Sequence, residues 1–288
     1  MINIELEKII KIIENNNCVA LLAPSFVIDF SYPQIITGLR KIGFKKALEL
    51  TFAAKLINKK YHNLIKKNPK KQIICANCPS VVKIIENSYP KHKNKIANIS
   101  SPMVLMGRIS KKIFGKNYKT IFIGPCFAKK QEAKDNKKDI DYAITFRELQ
   151  EILDKKKISL NKIKFKKTED FDKFYNDYTK IYPLSGAVAK TMHDKELLEK
   201  HEVIICDGTT ELEKAIKIME KNKNIKFIDC LLCNGGCIGG NGIISKQSTT
   251  KKIKKIKEYL KKSKETKMGK HFGKIKLEEE LQLDLKRK

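Results

Sequence analysis

The chain has no tryptophan, and among its 61 basic residues arginine occurs only at 40, 108, 147 and 287. Acidic residues are scarce beside them, 32 in all, so the formal charge at pH 7 is +29. Such an excess raises nucleic acid as a partner, but the missing residue types argue against it. Arginine is the side chain suited to bidentate contacts with phosphates and base edges, and no aromatic stacking motif accompanies the lysines. Spread among isoleucine and asparagine, the lysines read as solvated faces, and an acidic protein partner docked by general electrostatics is compatible with them. Long apolar runs are missing too. None approaches the length of a bilayer span, and residues 1–17 lack a secretory apolar core. Ile4, Leu6, Ile9, Ile10, Ile12 and Ile13 alternate there with Glu and Lys, the pattern of an amphipathic helix. No internal repeat is present. The expectation is a cytoplasmic protein with no membrane partner, long enough at 288 residues and 41% hydrophobic content to bury a sizeable core.

What is present is an alternation of short apolar runs with helical patterns. Strands are expected at Val19–Ala23, Gln72–Ile74, Thr120–Ile123, Tyr142–Ile144, Glu202–Ile205 and Lys226–Ile228. Helices are expected around Tyr32–Ile42, Ala47–Lys66, Ser80–Ser88, from Ser101-Pro102 to Phe114, and at Thr145–Lys155 and Thr209–Lys221. Such alternation predicts parallel sheets with crossover helices, a layered α/β fold. Ser110–Lys119 is the expected divide, giving an N-terminal helix over 1–17, a first α/β lobe over 18–112, a second over 113–245, and a Lys-rich helical tail over 246–288. In that tail Leu277, Leu281 and Leu285 recur one turn apart, the mark of a short amphipathic surface helix.

In a cytoplasmic chain eight cysteines argue for metal ligation or catalysis over disulfides. Cys78, Cys126 and Cys233 each stand just past the carboxyl end of an expected strand, where ligands gather in open α/β sheets. Cys237 supplies a fourth thiol across Asn234-Gly235-Gly236, a turn whose glycines permit close backbone approach. Four thiolates converging from three loops suit a cubane iron–sulfur cluster. A structural zinc site competes, because Cys75/Cys78 and Cys230/Cys233 are C-x2-C pairs; against it, Cys230 sits in an apolar run and neither pair accounts for Cys126 or Cys237. Cys18 and Cys206 read as buried small hydrophobes, and Cys75 and Cys230 as core residues first and accessory thiols second.

Asn77-Cys78-Pro79, Ser101-Pro102-Met103, Gly124-Pro125-Cys126-Phe127-Ala128-Lys129-Lys130 and Cys233-Asn-Gly-Gly-Cys237-Ile resemble the successive motifs of the FeFe-hydrogenase large-subunit catalytic domain. Ala23-Pro24-Ser25, the stretch from Gly38 to Phe52 and Leu184-Ser185-Gly186 resemble it too, so the likeness runs from about residue 18 to 245. The resemblance implies two lobes of twisted, mainly parallel β-sheets flanked by helices, with the metal cluster at the interface between them. It implies an H-cluster: a 4Fe-4S cubane held by Cys78, Cys126, Cys233 and Cys237, the last also bridging to a diiron subsite with carbonyl and cyanide ligands. Gly235 and Gly236 would place that bridging thiolate. Lys129 would donate a charge-assisted hydrogen bond to one cyanide. Ala23, Pro24 and Ser25 would wall the diiron pocket, with Ser25 a donor to the other cyanide, and Met103 would stand at the cofactor where the family usually has glutamine.

The sequence also departs from the family. The residue before the first ligand, usually a proton-relaying cysteine, is Asn77, and an amide does not exchange protons at neutral pH as a thiol does. The relay glutamates on the helix after Phe52 are replaced, with Tyr61 and Leu64 at the nearest positions, and Gly124 stands where methionine is usual. These changes resemble the divergent, sensory-type branch. The implied function is reversible hydrogen oxidation and proton reduction, slow or sensory. The alternative is a non-enzymatic 4Fe-4S protein for cluster assembly or electron transfer. No C-x2-C-x2-C-x3-C segment is present, so a redox partner such as ferredoxin or an iron–sulfur subunit is implied, together with hydrogenase maturation proteins.

Overall fold

In the computed structural model, residues 4–164, 170–172, 178–265 and 283–287 are described. In chain order the elements are α1 (Ile4–Asn15), β1 (Cys18–Leu22), α2 (Gln34–Ile42), β2 (Lys46–Glu49), α3 (Thr51–Lys67), β3 (Ile73–Ile74), α4 (Pro79–Ser88), α5 (Pro102–Phe114) and β4 (Lys119–Gly124). They continue with α6 (Ala128–Asp135), β5 (Tyr142–Thr145), α7 (Phe146–Lys155), α8 (Ala187–His193), β6 (Val203–Asp207), α9 (Thr209–Lys221), β7 (Phe227–Leu231) and α10 (Thr249–Glu265).

Two all-parallel sheets result, one in the order β2-β1-β4-β5 and the other β3-β7-β6. Strands buried on both faces read as unbroken apolar runs. β1 (Cys-Val-Ala-Leu-Leu) and β7 (Phe-Ile-Asp-Cys-Leu) are buried along their whole length and lie inside their sheets. The helices pack on these strands through amphipathic stripes, as α1 does with buried Leu6, Ile9, Ile10 and Ile13. Local chemistry fixes several starts. Ser101 caps α5 by accepting the Val104 N–H ahead of Pro102, and Thr145 and Glu148 form a capping box on α7.

The structure corrects three expectations. Ala47–Glu49, expected at the start of a helix, belongs instead to β2: these residues favour helix intrinsically, but pairing with β1 and burial of Ala47 and Leu48 override that propensity. The divide at 112/113 does not separate the sheets. β3, from the expected first lobe, pairs with β7, while β4 and β5, from the second, pair beside β1. Residues 283–287, at the end of the expected surface helix, are not helical. Ser100 and Arg108 donate to the carbonyls of Asp284, Leu285 and Lys286, and Arg287 pairs with Glu86 at 2.9 Å, which anchors the segment as an extended strap. Leu277 and Leu281 lie outside the described residues.

Candidate metal and catalytic site

Four strand ends supply the site. After β3, Cys78 stands immediately before Pro79, the first residue of α4. β4 runs through Gly124 and Pro125 to Cys126, just before α6. Thiolates at helix starts are favoured by the positive end of the helix dipole, and at Cys126 the nearby backbone N–H groups of Ala128 and Lys129 add to that pull. β7 ends at Leu231 and leads into the turn from Cys233 to Cys237, and β1 leads into Ala23 and the tight helical turn Pro24–Ile28.

The glycine turn is held from two sides. Gly235 and Gly236 take φ of +77° and +86°, open to glycine at little cost. A Cβ at 236 would stand 2.5 Å from the Pro183 carbonyl oxygen, so glycine is also what allows the bridge between Gly236 and Leu184. Asp207, at the end of β6, fastens both strands of that contact: its Oδ2 accepts the Gly235 N–H at 2.9 Å and the Ser185 hydroxyl at 2.8 Å. Sequence reasoning missed Asp207; the available signal was an acid at a strand end followed by Gly208.

The four thiols lie within electrostatic reach of one another. Burial, then the thiols of Cys126 and Cys78, push the Cys233 thiol up to about 11. Cys237 is raised further, first by burial and then by Cys78 and Cys126, with Lys129 opposing. Cys126 is raised by burial against the pull of Lys129. Thiols so placed ionise together only around a cationic centre. Among the described residues no three His, Cys, Asp or Glu side chains converge as ligands of one ion. A cubane puts iron and sulfide between its cysteines, and the four-thiol donor set suits it.

Beside the thiols is a largely apolar cavity of about 90 Å³. Ala23, Pro24 and Ser25 line it, as do Asn77 and Met103. Cys126, Lys129 and Cys237 reach it as well. Cys78, Cys233, Gly235 and Gly236 do not line it, nor does Cys75, whose buried Sγ lies 3.5 Å from the Tyr61 hydroxyl. Tyr61 is fully buried, and its hydroxyl accepts the Ala76 N–H at 2.8 Å. α3 contains no carboxylate. Cys18, Cys206 and Cys230 are buried in strands.

Two polar atoms at the cavity are buried without a hydrogen-bond partner among the described residues, Ser25 Oγ and Asn77 Oδ1. An orphaned hydroxyl in an apolar wall is costly unless a ligand engages it. Lys129 is 13% exposed and donates to Glu132 at 2.5 Å and to the Asn77 carbonyl at 3.3 Å. Burial works to lower its pKa, but Glu132 and then Cys126 and Cys78 outweigh it, so the ammonium is held charged. Glu132, one turn along α6, was missed in the sequence, as was Asp229 of β7, which lines the cavity. An i, i+3 pair in a Lys-rich chain carries no distinctive signal, but an acid inside the apolar run from Ile225 to Leu232 does.

Fold and site together define an α/β protein whose parallel-sheet edges bring four cysteines beside an apolar pocket with one lysine. The chain belongs to the iron-only hydrogenase large-subunit, C-terminal domain family, whose model matches residues 16–241. It is 28% identical over 257 residues to Iron hydrogenase 1 of Clostridium pasteurianum, and 23% identical over 265 residues to NADP-reducing hydrogenase subunit HndD of Solidesulfovibrio fructosivorans. Each alignment covers 73% of this chain and 45% of the relative, so the chain spans less than half the length of either. Among solved structures, a variant of FeFe-hydrogenase HydA1 from Chlamydomonas reinhardtii superposes with a TM-score of 0.67 at 15% identity, over 88% of both chains. A structure of HydA(deltaEFG), described as showing stepwise H-cluster assembly, gives 0.63 at 16% identity over 86% of this chain and 84% of that one. These likenesses bear on the fold alone, the α/β architecture of parallel sheets flanked by helices.

Proposed function

We propose that this chain holds an H-cluster and takes part in interconverting hydrogen with protons and electrons, slowly or as a sensor. The observation that carries the reading is one cavity reached by Cys126, Cys237, the Lys129 ammonium and the orphaned Ser25 hydroxyl, with the Cys78 and Cys233 thiols within electrostatic reach of it. Cys78, Cys126, Cys233 and Cys237 would hold the cubane, and Cys237 would extend to the diiron subsite. When bound, that group supplies the redox chemistry of hydrogen. The protein's own contribution is ligation, two donors and dryness. Ser25 and Lys129 offer N–H and O–H groups to anionic ligands, charge-assisted in the case of Lys129. Ala23, Pro24, Met103 and Phe122 exclude water and so strengthen those bonds. Asn77 offers the cavity an amide, which slows proton delivery. An iron–sulfur electron partner, attracted by the basic surface, and maturation proteins for the diiron subsite follow from this reading, as does a place in the cytoplasm.

The test is infrared spectroscopy after anaerobic maturation. Carbonyl and cyanide bands that respond to hydrogen and then to carbon monoxide support the reading; their absence from fully matured protein ends it. A 4Fe-4S signal without those bands is the outcome of the second reading, a cubane-only protein for assembly or electron transfer, which the amide at 77 and the carboxylate-free α3 favour. In either reading Cys126→Ser strips iron and sulfide while Cys18→Ser retains them.

A further inference from the structure

The cavity has a carboxylate that neither the family motifs nor the reading above uses. Asp229 is 3% exposed, and among the described residues it is the only acid lining the cavity. Its Oδ2 is committed, accepting the Val188 N–H at 3.0 Å and the Ala189 N–H at 2.9 Å at the start of α8. Its Oδ1 has no hydrogen-bond partner among the described residues, and no cation pairs with the side chain. The two oxygens therefore differ. One fixes the side chain rigidly, and the other is left to the pocket on the wall it shares with Cys237 and Leu231.

We propose that Asp229 is the proton-holding group of this cavity, taking up and releasing protons at Oδ1 in place of the thiol missing at 77. The proposal rests on the H-cluster reading and deepens it. The step is a simple transfer at Oδ1: the neutral carboxyl gives up its proton toward the cavity and becomes carboxylate, and a proton taken up from solvent restores it. The surroundings suit the role. Cys75 of β3, Cys230 of β7, Tyr182 ahead of α8 and Tyr61 of α3 face this region, all neutral near pH 7, while Lys129 of α6 lies elsewhere on the cavity wall. Burial raises the Asp229 pKa from 3.8 to about 6, against the pull of the two amide donors. Near pH 6 such a group is charged and uncharged in comparable amounts, which suits it to holding and releasing a proton.

The variant that isolates the role is Asp229→Asn, because the asparagine oxygen accepts the same two N–H bonds but carries no acid proton. In protein without the diiron subsite, the infrared signal of a neutral carboxyl titrating near pH 6 is expected in the wild type and absent from Asp229→Asn; the same signal in both overturns the assignment. In matured protein Asp229→Asn is expected to lower hydrogen turnover about 100-fold and to abolish the pH limb near 6, with Asp229→Glu restoring it. If circular dichroism shows Asp229→Asn folded and carbonyl and cyanide bands are normal, yet its pH profile superposes on the wild type's, the proposal is wrong and the H-cluster reading stands. If the bands are absent from wild type and variant alike, the H-cluster reading fails and takes this proposal with it.

Discussion

Two lysine–glutamate pairs in this chain are built from the same groups at nearly the same distance, 2.7 Å for Lys180 with Glu49 and 2.5 Å for Lys129 with Glu132. Lys180 and Glu49 are both 0% exposed, and every side of the pair is closed. Tyr259 donates to the second Glu49 oxygen at 2.9 Å, Thr51 donates to the first at 3.0 Å, and the Lys180 ammonium lies 3.7 Å from the Tyr259 ring centre. This pair ties the end of β2 to the helical turn Tyr178–Ile181, with Tyr259 of α10 closing it, and has no outlet. Lys129 and Glu132, 13% and 15% exposed, stand beside four thiols and a cavity. A saturated pair can only hold the fold together; an unsaturated one leaves a charged donor for a ligand. Partner count separates structure from chemistry here, since residue type does not.

Removing one member of the saturated pair tests this most severely. Lys180→Met leaves Glu49 buried and uncompensated, and urea denaturation is expected to show a loss of about 3 to 5 kcal/mol; a loss under 1 kcal/mol breaks the comparison. Lys129→Met should cost the unloaded protein only about 1.5 to 2 kcal/mol, because Glu132 can turn to water, while shifting the cyanide bands of matured protein. Asp229 sharpens the contrast as a buried acid with no cation at all. Its pKa is raised in the folded state, to about 6, so its contribution to stability is greatest below 3.8 and is lost as pH rises through 6. Wild type should therefore gain about 1 kcal/mol relative to Asp229→Asn between pH 7 and pH 5, read from paired denaturation curves. At the far end, Lys217→Ala in the exposed pair with Glu213 should leave the denaturation midpoint unchanged.

The parts legible in the sequence are those with local causes. Apolar runs marked β1, β4 and β7, the thiols at 78, 126 and 233 stood out just past expected strand ends, and the family resemblance singled out Lys129 and Ser25. What was hidden depends on contacts made elsewhere in the chain. Lys46–Glu49 has the composition of a helix and is a strand because β1 is beside it. The sheets interleave across the expected boundary because β3 finds its partner in β7. Asp207 and Asp229 are ordinary acids until Ser185, Gly235 and the start of α8 arrive to meet them.

The pairing of β3 with β7 also sets an order of events. Ile73 meets Phe227 across about 150 residues, and closing so large a loop is slow compared with pairing neighbours. Cys78 follows the first of these strands, Cys233 and Cys237 the second, so a nascent chain on the ribosome has no four-thiol site until Cys237 has emerged. The sheet β2-β1-β4-β5 can form well before that, from residues 18–145 alone. A chain truncated before β7 is expected to fold its first sheet and bind no cluster.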